Sequence, residues 1–295
     1  MDRAHGIFLY MFLVVTSLLQ GLTNADRIAD LQRRLRRLPI NLNKYFQHMF
    51  ETIDDHYQDQ TAKTFQIALH ASDPLALMTY NMLDELEDDP DFALKLSHGP
   101  MHSSDIRSRH ENMKKRINAR CMDLLEVTRA ELHEQRKLGD EKDGQSDIDE
   151  SADSRQDYKD PFSEYVVDFL HRTVRDFLQL RETQALIAAR MPKEVDPDKL
   201  LCQAFLAQVK VVPLGKGGGH RAGTFSDLLD DMVLYAHHLE TSKAISPTKL
   251  LDELAMVIAH RNPALLRSGV KNGETIEKKT LIRAPQQFFL RLAIQ

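Results

Sequence analysis

Apolar residues recur along most of the chain at the spacing of amphipathic helices. In the clearest stretch, Asn41 favours an N-cap, and Leu42, Phe46, Met49 and Ile53 follow on one helical face. Further helices are predicted over residues 28–38, 60–71, 75–86, 104–121, 174–189, 198–212, 225–239 and 247–259. The pattern therefore predicts a mainly α-helical protein.

Strand-like sequence in the first two-thirds of the chain is confined to residues 124–128 and 165–170, which are rich in β-formers. Between them, residues 134–160 are acidic and have almost no apolar side chain, so we expect a disordered, protease-sensitive insertion. Two strands joined by such a loop predict a small β-hairpin with an insertion at its tip. From Asn262 onward the periodicity fades, which leaves a poorly defined tail.

The N-terminal segment is apolar and admits three interpretations. Residues 6–22 read GIFLYMFLVVTSLLQGL behind a short charged leader, as a secretory signal would. A membrane span is the least favoured interpretation, because the run is short and Thr16, Ser17 and Gln20 weaken its second half. A buried core helix, continued after a break by the amphipathic segment 26–37, fits equally well. The pattern alone does not decide between a secretory signal and a core helix.

Composition narrows the class of protein. At about 150 residues per domain, 295 residues are enough for two domains. The chain has 39 basic and 44 acidic residues, a formal net charge of -5, which argues against a dedicated nucleic-acid binder. Cys121 and Cys202 have no CxxC partner, which excludes a disulfide framework and favours a reducing compartment.

Two segments imitate parts of nucleotide sites and fail as complete motifs. Gly215–Gly219 includes Lys216, but glycine follows the lysine where a phosphate loop has serine or threonine, so a flexible interhelical loop is favoured. Met82–Glu85 resembles the acidic end of an ATPase strand. Without an upstream phosphate loop, the acidic end of a helix is the favoured interpretation.

A group of three histidines and a basic helix also imitate functional sites. His98, His102 and His110 cluster, but they lack the spacing of a metal site and are interpreted as surface histidines. The basic helix Arg107–Arg120 has the character of a DNA-recognition helix. A solvated face or a contact to the acidic insertion is favoured, because the overall charge is negative and aromatic residues are not interleaved. No catalytic residue and no metal ligand is therefore predicted.

Five segments nevertheless carry recognisable sequences in a fixed order: 6–26, 30–39, 46–54, 118–127 and 167–178. The fourth reads NARCMDLLEV and the fifth VDFLHRTVRDFL. Together they resemble the region that follows the nucleotide-binding domain in fungal NACHT-type STAND NTPases, relatives of NOD-like immune receptors. The resemblance extends from about residue 6 to residue 260, and the joint order is more specific than any one segment. The sequence departs from the family pattern in two ways. The nucleotide-binding domain, with both Walker motifs, is missing from the sequence, and the tail does not resemble the family. Both are expected of a truncated chain or gene-model fragment.

The resemblance implies a domain organisation and favours the core-helix interpretation of the N-terminus. It implies a helical subdomain at 6–57, a winged-helix-like module at 58–192 with the disordered acidic insertion 134–160, a C-terminal helical segment at 193–261 and a poorly defined tail at 262–295. The fold class is therefore mainly α, with a helical subdomain, a winged-helix-like module carrying a small β-hairpin, and a C-terminal helical bundle.

The function implied by the resemblance is a non-catalytic regulatory or switch module of a NACHT-type signalling NTPase. In related receptors the histidine of the closing signature touches the β-phosphate of bound ADP and holds the resting state, and His171 is the matching residue. A structural alternative for His171 is a cap of the helix start or a satisfied core histidine. The chain itself is expected to hold no cofactor, since ADP or ATP would be bound only with a NACHT domain.

Partners and location follow from the same resemblance. We expect the partner to be a NACHT domain, in cis or in trans, and homo-oligomers are a second kind of partner. We expect neither nucleic acid nor a membrane as partner, and a cytoplasmic location. Two alternatives from other classes stay open. One is a secreted or membrane-anchored helical protein with residues 1–25 as signal or anchor, and the other is a winged-helix DNA-binding module.

Overall fold

The computed structural model describes residues 2–37, 42–131, 133, 162–191, 195–213, 221–243 and 245–261. Helices account for most of these residues, and a small antiparallel sheet of three strands completes the fold. The predicted mainly α-helical class with a small β-hairpin is confirmed. The predicted insertion 134–160, the glycine-rich stretch 215–219 and the tail 262–295 lie outside the described residues.

The helical elements follow the predicted apolar stripes closely. In chain order they are α1 (Asp2–Thr23), α2 (Ile28–Arg37), α3 (Leu42–Glu51), α4 (Gln58–His70), α5 (Leu77–Asp88), α6 (Phe92–Lys95), α7 (Ser103–Cys121), α8 (Arg172–Leu178), α9 (Arg181–Arg190), α10 (Pro197–Val211), α11 (Arg221–Lys243) and α12 (Thr248–Arg261). A 3₁₀ turn, Asp55–Tyr57, precedes α4. The strands are β1 (Leu75–Ala76), β2 (Leu125–Arg129) and β3 (Tyr165–Phe169).

The chain forms two compact units that interleave along the sequence. The first contains the described residues within 1–72, 116–126 and 168–193, and the second those within 73–115, 127–167 and 194–295. Each unit has its own buried apolar residues. The domain boundaries predicted after residues 57 and 192 stay predictions.

Aromatic side chains hold the first unit together. The ring of Phe46 on α3 lies 5.6 Å from that of Phe177 on α8, and Phe50 stacks on Phe65 of α4 at 6.0 Å between ring centroids. The Arg190 guanidinium of α9 lies 4.6 Å from the centroid of the Phe50 ring, a cation–π arrangement. These contacts join four helices around one core.

The break predicted between the first two helices is a Schellman turn. The N–H of Ala25 donates to the carbonyl of Leu22 at 3.0 Å, and the N–H of Asp26 donates to that of Gly21 at 2.9 Å. Ala25 occupies the left-handed position with φ of 59°, where glycine is usual. The two hydrogen bonds fix the connection between α1 and α2.

Helix α10 is the centre of the second unit. Every side chain from Leu201 to Val212 is buried. The helix packs against α5 and α11, with the rings of Phe205 and Tyr235 stacked at 5.7 Å. Its start is capped by Asp196, whose carboxylate accepts from the N–H groups of Asp198 and Lys199.

The sheet has the strand order β1–β3–β2. Leu75 pairs with Val167 and Ala76 with Val166 in antiparallel register. The helix predicted over residues 75–86 was wrong at its start, because the first two of these residues form β1 and the helix begins at Leu77. A strand this short has no alternation that a sequence pattern could reveal.

Candidate functional site

His171 lies where the last strand passes into helix α8. The N–H of Leu170 donates to the carbonyl of Leu124 at 3.1 Å, which fixes the chain just before the histidine. The backbone of His171 is extended, and its Nδ1 accepts from the N–H of Thr173 at 3.2 Å. The Thr173 hydroxyl lies 3.0 Å from the same nitrogen. His171 is therefore the N-cap of α8, which confirms its structural alternative.

The sequence of α8 explains why the histidine is held in place. Val174, Phe177 and Leu178 are buried on one face of the helix, at the spacing of an amphipathic stripe. Phe177 packs on Phe46, which is completely buried. Packing thus anchors α8 within the first unit, and the cap fixes the imidazole at its start.

The cap also assigns the tautomer of the imidazole. A nitrogen that accepts a hydrogen bond carries no proton, so the proton of the neutral ring is on Nε2. Nε2–H is a donor that suits a phosphate oxygen. The contact to a bound diphosphate that the resemblance implies stays a prediction.

The other motifs that imitate nucleotide sites find structural explanations where they are described. Met82–Glu85 begins at the middle of α5 and leads into its acidic C-terminal end, as the interpretation of an acidic helix end requires. Met82 is buried, and the Glu85 carboxylate accepts from Arg109 at 2.6 Å. Gly215–Gly219 lies outside the described residues.

The three clustered histidines lie in different environments. His102 is exposed, and His98 lies with its ring 5.6 Å from that of His260. His110 is only 2% exposed, so its interpretation as a surface histidine was wrong. It faces the sheet, edge-on to Tyr165 at 5.3 Å. In the described part of the chain, no three His, Cys, Asp or Glu side chains come together as metal ligands.

Burial lowers the pKa of His110 below its ordinary value, and Lys114 adds to the effect, whereas Glu164, Glu111 and a backbone hydrogen bond to Phe162 oppose it. The unfolded chain therefore takes up this proton more readily than the folded chain. We expect the free energy of unfolding to fall as the pH is lowered from about 6.5 through the folded-state pKa.

His110→Phe should remove this part of the pH dependence, because phenylalanine preserves the edge-on contact and does not titrate. Urea unfolding above and below pH ~6.5 measures it. His102→Phe is the matched control, since His102 is exposed. An identical pH dependence in wild type and His110→Phe would contradict the prediction.

The basic helix α7 has a mixed surface. Arg107, Lys115 and Arg116 are exposed. Arg109 instead bonds Glu85, while the Lys114 ammonium bonds Glu111 at 3.0 Å and lies 3.5 Å from the centroid of the Tyr165 ring. The sequence pattern did not separate the solvated side chains from those that hold the second unit together.

Sequence reasoning missed a buried charged cluster at the C-terminal end of α10. Lys210 is 0% exposed, and its ammonium lies 2.6 Å from the carboxylate of Glu253 on α12. It also donates to the carbonyls of Leu94 at 3.1 Å and Leu96 at 3.0 Å. The signal for this cluster is one lysine within the apolar run AFLAQVKVV.

Arg261 completes this cluster from the last turn of α12. Its guanidinium donates to the carbonyls of Val209 and Val212, which end α10 without helical partners. The N–H of Gly99 donates to the carbonyl of Lys210 at 3.1 Å, and that of Met101 to the carbonyl of Val211 at 2.8 Å. The C-terminal end of α10 is thus fully supplied with donors, and the cluster is structural.

The two cysteines offer no reactive thiol. Both are buried, and burial raises the pKa of the Cys121 thiol and raises that of Cys202 to about 12. Thiolate chemistry at either position is therefore disfavoured.

The architecture is that of a mainly helical protein with a small three-stranded sheet and a histidine-capped helix after the last strand. A family model, that of a domain of unknown function (DUF7791), matches residues 52–218, more than half of the chain. The chain therefore belongs to this family. The matched range contains all three strands, His171 and the whole of α10. No curated protein matches the chain, and no solved structure does.

Proposed function

We propose that the chain is a non-catalytic regulatory module of a NACHT-type signalling NTPase. It would work with a nucleotide-binding domain supplied in cis or in trans, in the cytoplasm, and His171 would report the nucleotide state of that domain. This proposal starts from the resemblance of five segments of the sequence, and two features of the described residues support it.

The first supporting feature is the order of elements around the sheet. Along the chain, α4, β1, α5, α6, α7, β2 and β3 follow one another, and the strand order is β1–β3–β2. A winged-helix module has this order: a helix, a strand, further helices, and then two strands joined by a long connection. The connection between β2 and β3 contains the acidic insertion, which would be the wing.

The observation that carries the proposal is the placement of His171. It lies two residues after the end of the last strand of the sheet, and its Nδ1 accepts a hydrogen bond from the helix that it caps. The ring is thereby held in one orientation and one tautomer, with Nε2–H as donor. A group that senses a phosphate needs this fixed geometry, because a freely rotating imidazole would lose affinity on being ordered.

A nucleotide-binding experiment tests the proposal. The chain alone should bind neither ATP nor ADP, because one imidazole cannot replace a phosphate loop, its lysine and its Mg²⁺ ligands. Calorimetry with millimolar nucleotide should give no binding heat. When a NACHT nucleotide-binding domain is joined ahead of residue 1, ADP should bind, and the joined chain should hold it more tightly than the isolated domain does.

Two results would contradict the proposal. One is nucleotide binding by the chain alone. The other is an ADP affinity of the joined chain equal to that of the isolated nucleotide-binding domain. A joined chain with the exposed Arg107 and Lys115 of α7 replaced by glutamine serves as the control, since neither side chain is part of the His171 site.

A further inference from the structure

Helix α1 presents an apolar stripe to solvent. Met11, Val15, Leu19 and Leu22 are between 47% and 57% exposed. At about 100° per residue these four side chains fall within a band of about 80°, while Leu13 and Val14 are buried on the other side. Of the eleven large apolar side chains left exposed in the described part of the chain, six belong to α1 and α2. The exposed apolar surface is therefore concentrated on these two helices.

Helix α2 adds positive charge beside apolar side chains. Ile28 and Leu35 are exposed and lie one above the other, two turns apart. Arg36 is exposed and projects about 80° to one side of Ile28, and the exposed Arg27 immediately precedes the helix. Residues 26–37 contain five arginines and two aspartates, a formal charge of +3 in a chain whose net charge is -5.

We propose that α1 and α2 together dock in the plane of an anionic lipid surface. The apolar stripe would enter the boundary between headgroups and acyl chains, and Arg27 and Arg36 would contact lipid phosphates. The Schellman turn at Ala25 connects the two helices through two backbone hydrogen bonds. No helix in the described part of the chain, α1 included, combines the length and apolarity that a membrane crossing needs.

Charge complementarity selects this occupant over a second copy of the chain. Two copies packed through this face would bring two segments of +3 charge together, and their arginines would repel. An anionic lipid surface instead offers apolar depth and negative charge at the same place. The proposal departs from the expectation of no membrane partner, which followed from the family resemblance. It is independent of the proposed nucleotide-linked function.

A vesicle experiment with the full chain tests the proposal. The chain should cosediment with vesicles of equimolar phosphatidylcholine and phosphatidylserine and should not do so with phosphatidylcholine alone. Val15→Ser together with Leu19→Ser should abolish binding. Arg27→Gln with Arg36→Gln should weaken it about fivefold for each arginine removed, and added salt should weaken the wild type in the same direction.

Matched controls separate a specific surface from general stickiness. Leu186→Ser with Met256→Ser removes exposed apolar side chains elsewhere, and Arg107→Gln with Arg116→Gln removes the same charge from α7. Both control pairs should bind vesicles as the wild type does. Equal binding to both kinds of vesicle, or equal loss in the controls, would overturn the proposal.

Tryptophan reporters supply a second measurement that needs no loss-of-binding variant. The chain has no tryptophan, so Leu19→Trp or Leu35→Trp introduces a unique fluorophore at an exposed site. Both should shift to shorter wavelength on anionic vesicles, and Met256→Trp should not. No shift at either position would overturn the proposal. So would a wild-type dimer that ignores vesicles and becomes monomeric on Val15→Ser with Leu19→Ser, because the face would then serve self-association.

Discussion

Replacing Lys210 with methionine should lower the free energy of unfolding by about 3 to 5 kcal/mol. Lys210 is 0% exposed, and methionine keeps its approximate volume while removing the ammonium. The Glu253 carboxylate, 18% exposed, then loses its partner, and the carbonyls of Leu94 and Leu96 lose their donor. Unpaired buried acceptors carry their full desolvation penalty, so the loss exceeds the net worth of an ordinary hydrogen bond.

A double-mutant cycle separates the ion pair from the packing. Glu253→Leu alone leaves a buried ammonium with two carbonyl partners and should also be strongly destabilising. Combined with Lys210→Met, it should restore part of the loss, because two apolar side chains then face each other. Urea unfolding followed by circular dichroism measures all three variants.

An exposed lysine on the same helix as Glu253 provides the control for charge alone. Lys249→Met on α12 should change stability by about 0.5 kcal/mol or less. If Lys210→Met unfolded at the wild-type urea concentration, the buried ion pair would have no role in stability. Equal effects of Lys210→Met and Lys249→Met would contradict the account in the same way.

Phe46→Ala should cost about 3 to 5 kcal/mol. The ring is fully buried and lies 5.6 Å from that of Phe177, so its removal leaves a cavity between α3 and α8. Because α8 begins after the His171 cap, a loosened α8 should also expose the amide of Thr173 to exchange. Denaturant unfolding and hydrogen exchange measure the two effects.

The size of the Phe46 effect distinguishes a packed core from a loose one. Phe46→Leu, which keeps most of the volume, should cost much less than Phe46→Ala. Leu186→Ala, at an exposed position of α9, should be nearly neutral. Similar small losses for all three variants would show that Phe46 does not lie in a close-packed core.

Many of the helices and strands could be predicted from the sequence, because the local spacing of apolar residues determines them. The helix after Asn41 was predicted from one apolar stripe, and in the structure Phe46 of that stripe is buried, together with Phe50 of the same helix. The strands at 124–128 and 165–170 were predicted from their β-formers and are present with their ends shifted by at most one residue. These elements have apolar periods that decide which face is buried.

Other features depend on contacts between residues far apart in sequence. β1 is two residues long and forms because Leu75 meets Val167, which no local pattern indicates. The sequence does not indicate that Lys210 is buried and paired, because its partners Glu253 and the carbonyls of Leu94 and Leu96 are distant along the chain. The N-terminal helix was predicted as a core helix, and the structure leaves one of its apolar faces exposed.

The candidate site could be predicted from the sequence only in part, because one role of His171 depends on neighbouring residues and the other on a separate domain. The sequence offered His171 with two roles, and the cap was within reach of local reasoning because Thr173 is two residues away. The proposed nucleotide role would depend on a nucleotide-binding domain. Its test therefore requires a variant that removes one role and keeps the other.

The most direct test is the rate of ADP release from the chain joined to a NACHT nucleotide-binding domain, compared between His171→Asn and wild type. Asparagine is a favourable N-cap and keeps the bond to Thr173, whereas it removes Nε2–H. His171→Ala, which also loses the cap, should be less stable by about 0.5 to 2 kcal/mol. The account predicts faster ADP release in both variants, with an ADP affinity weaker by about 5- to 150-fold, and a stability of His171→Asn close to that of wild type. Wild-type ADP release in a stably folded His171→Asn chain would contradict it and leave His171 as a helix cap.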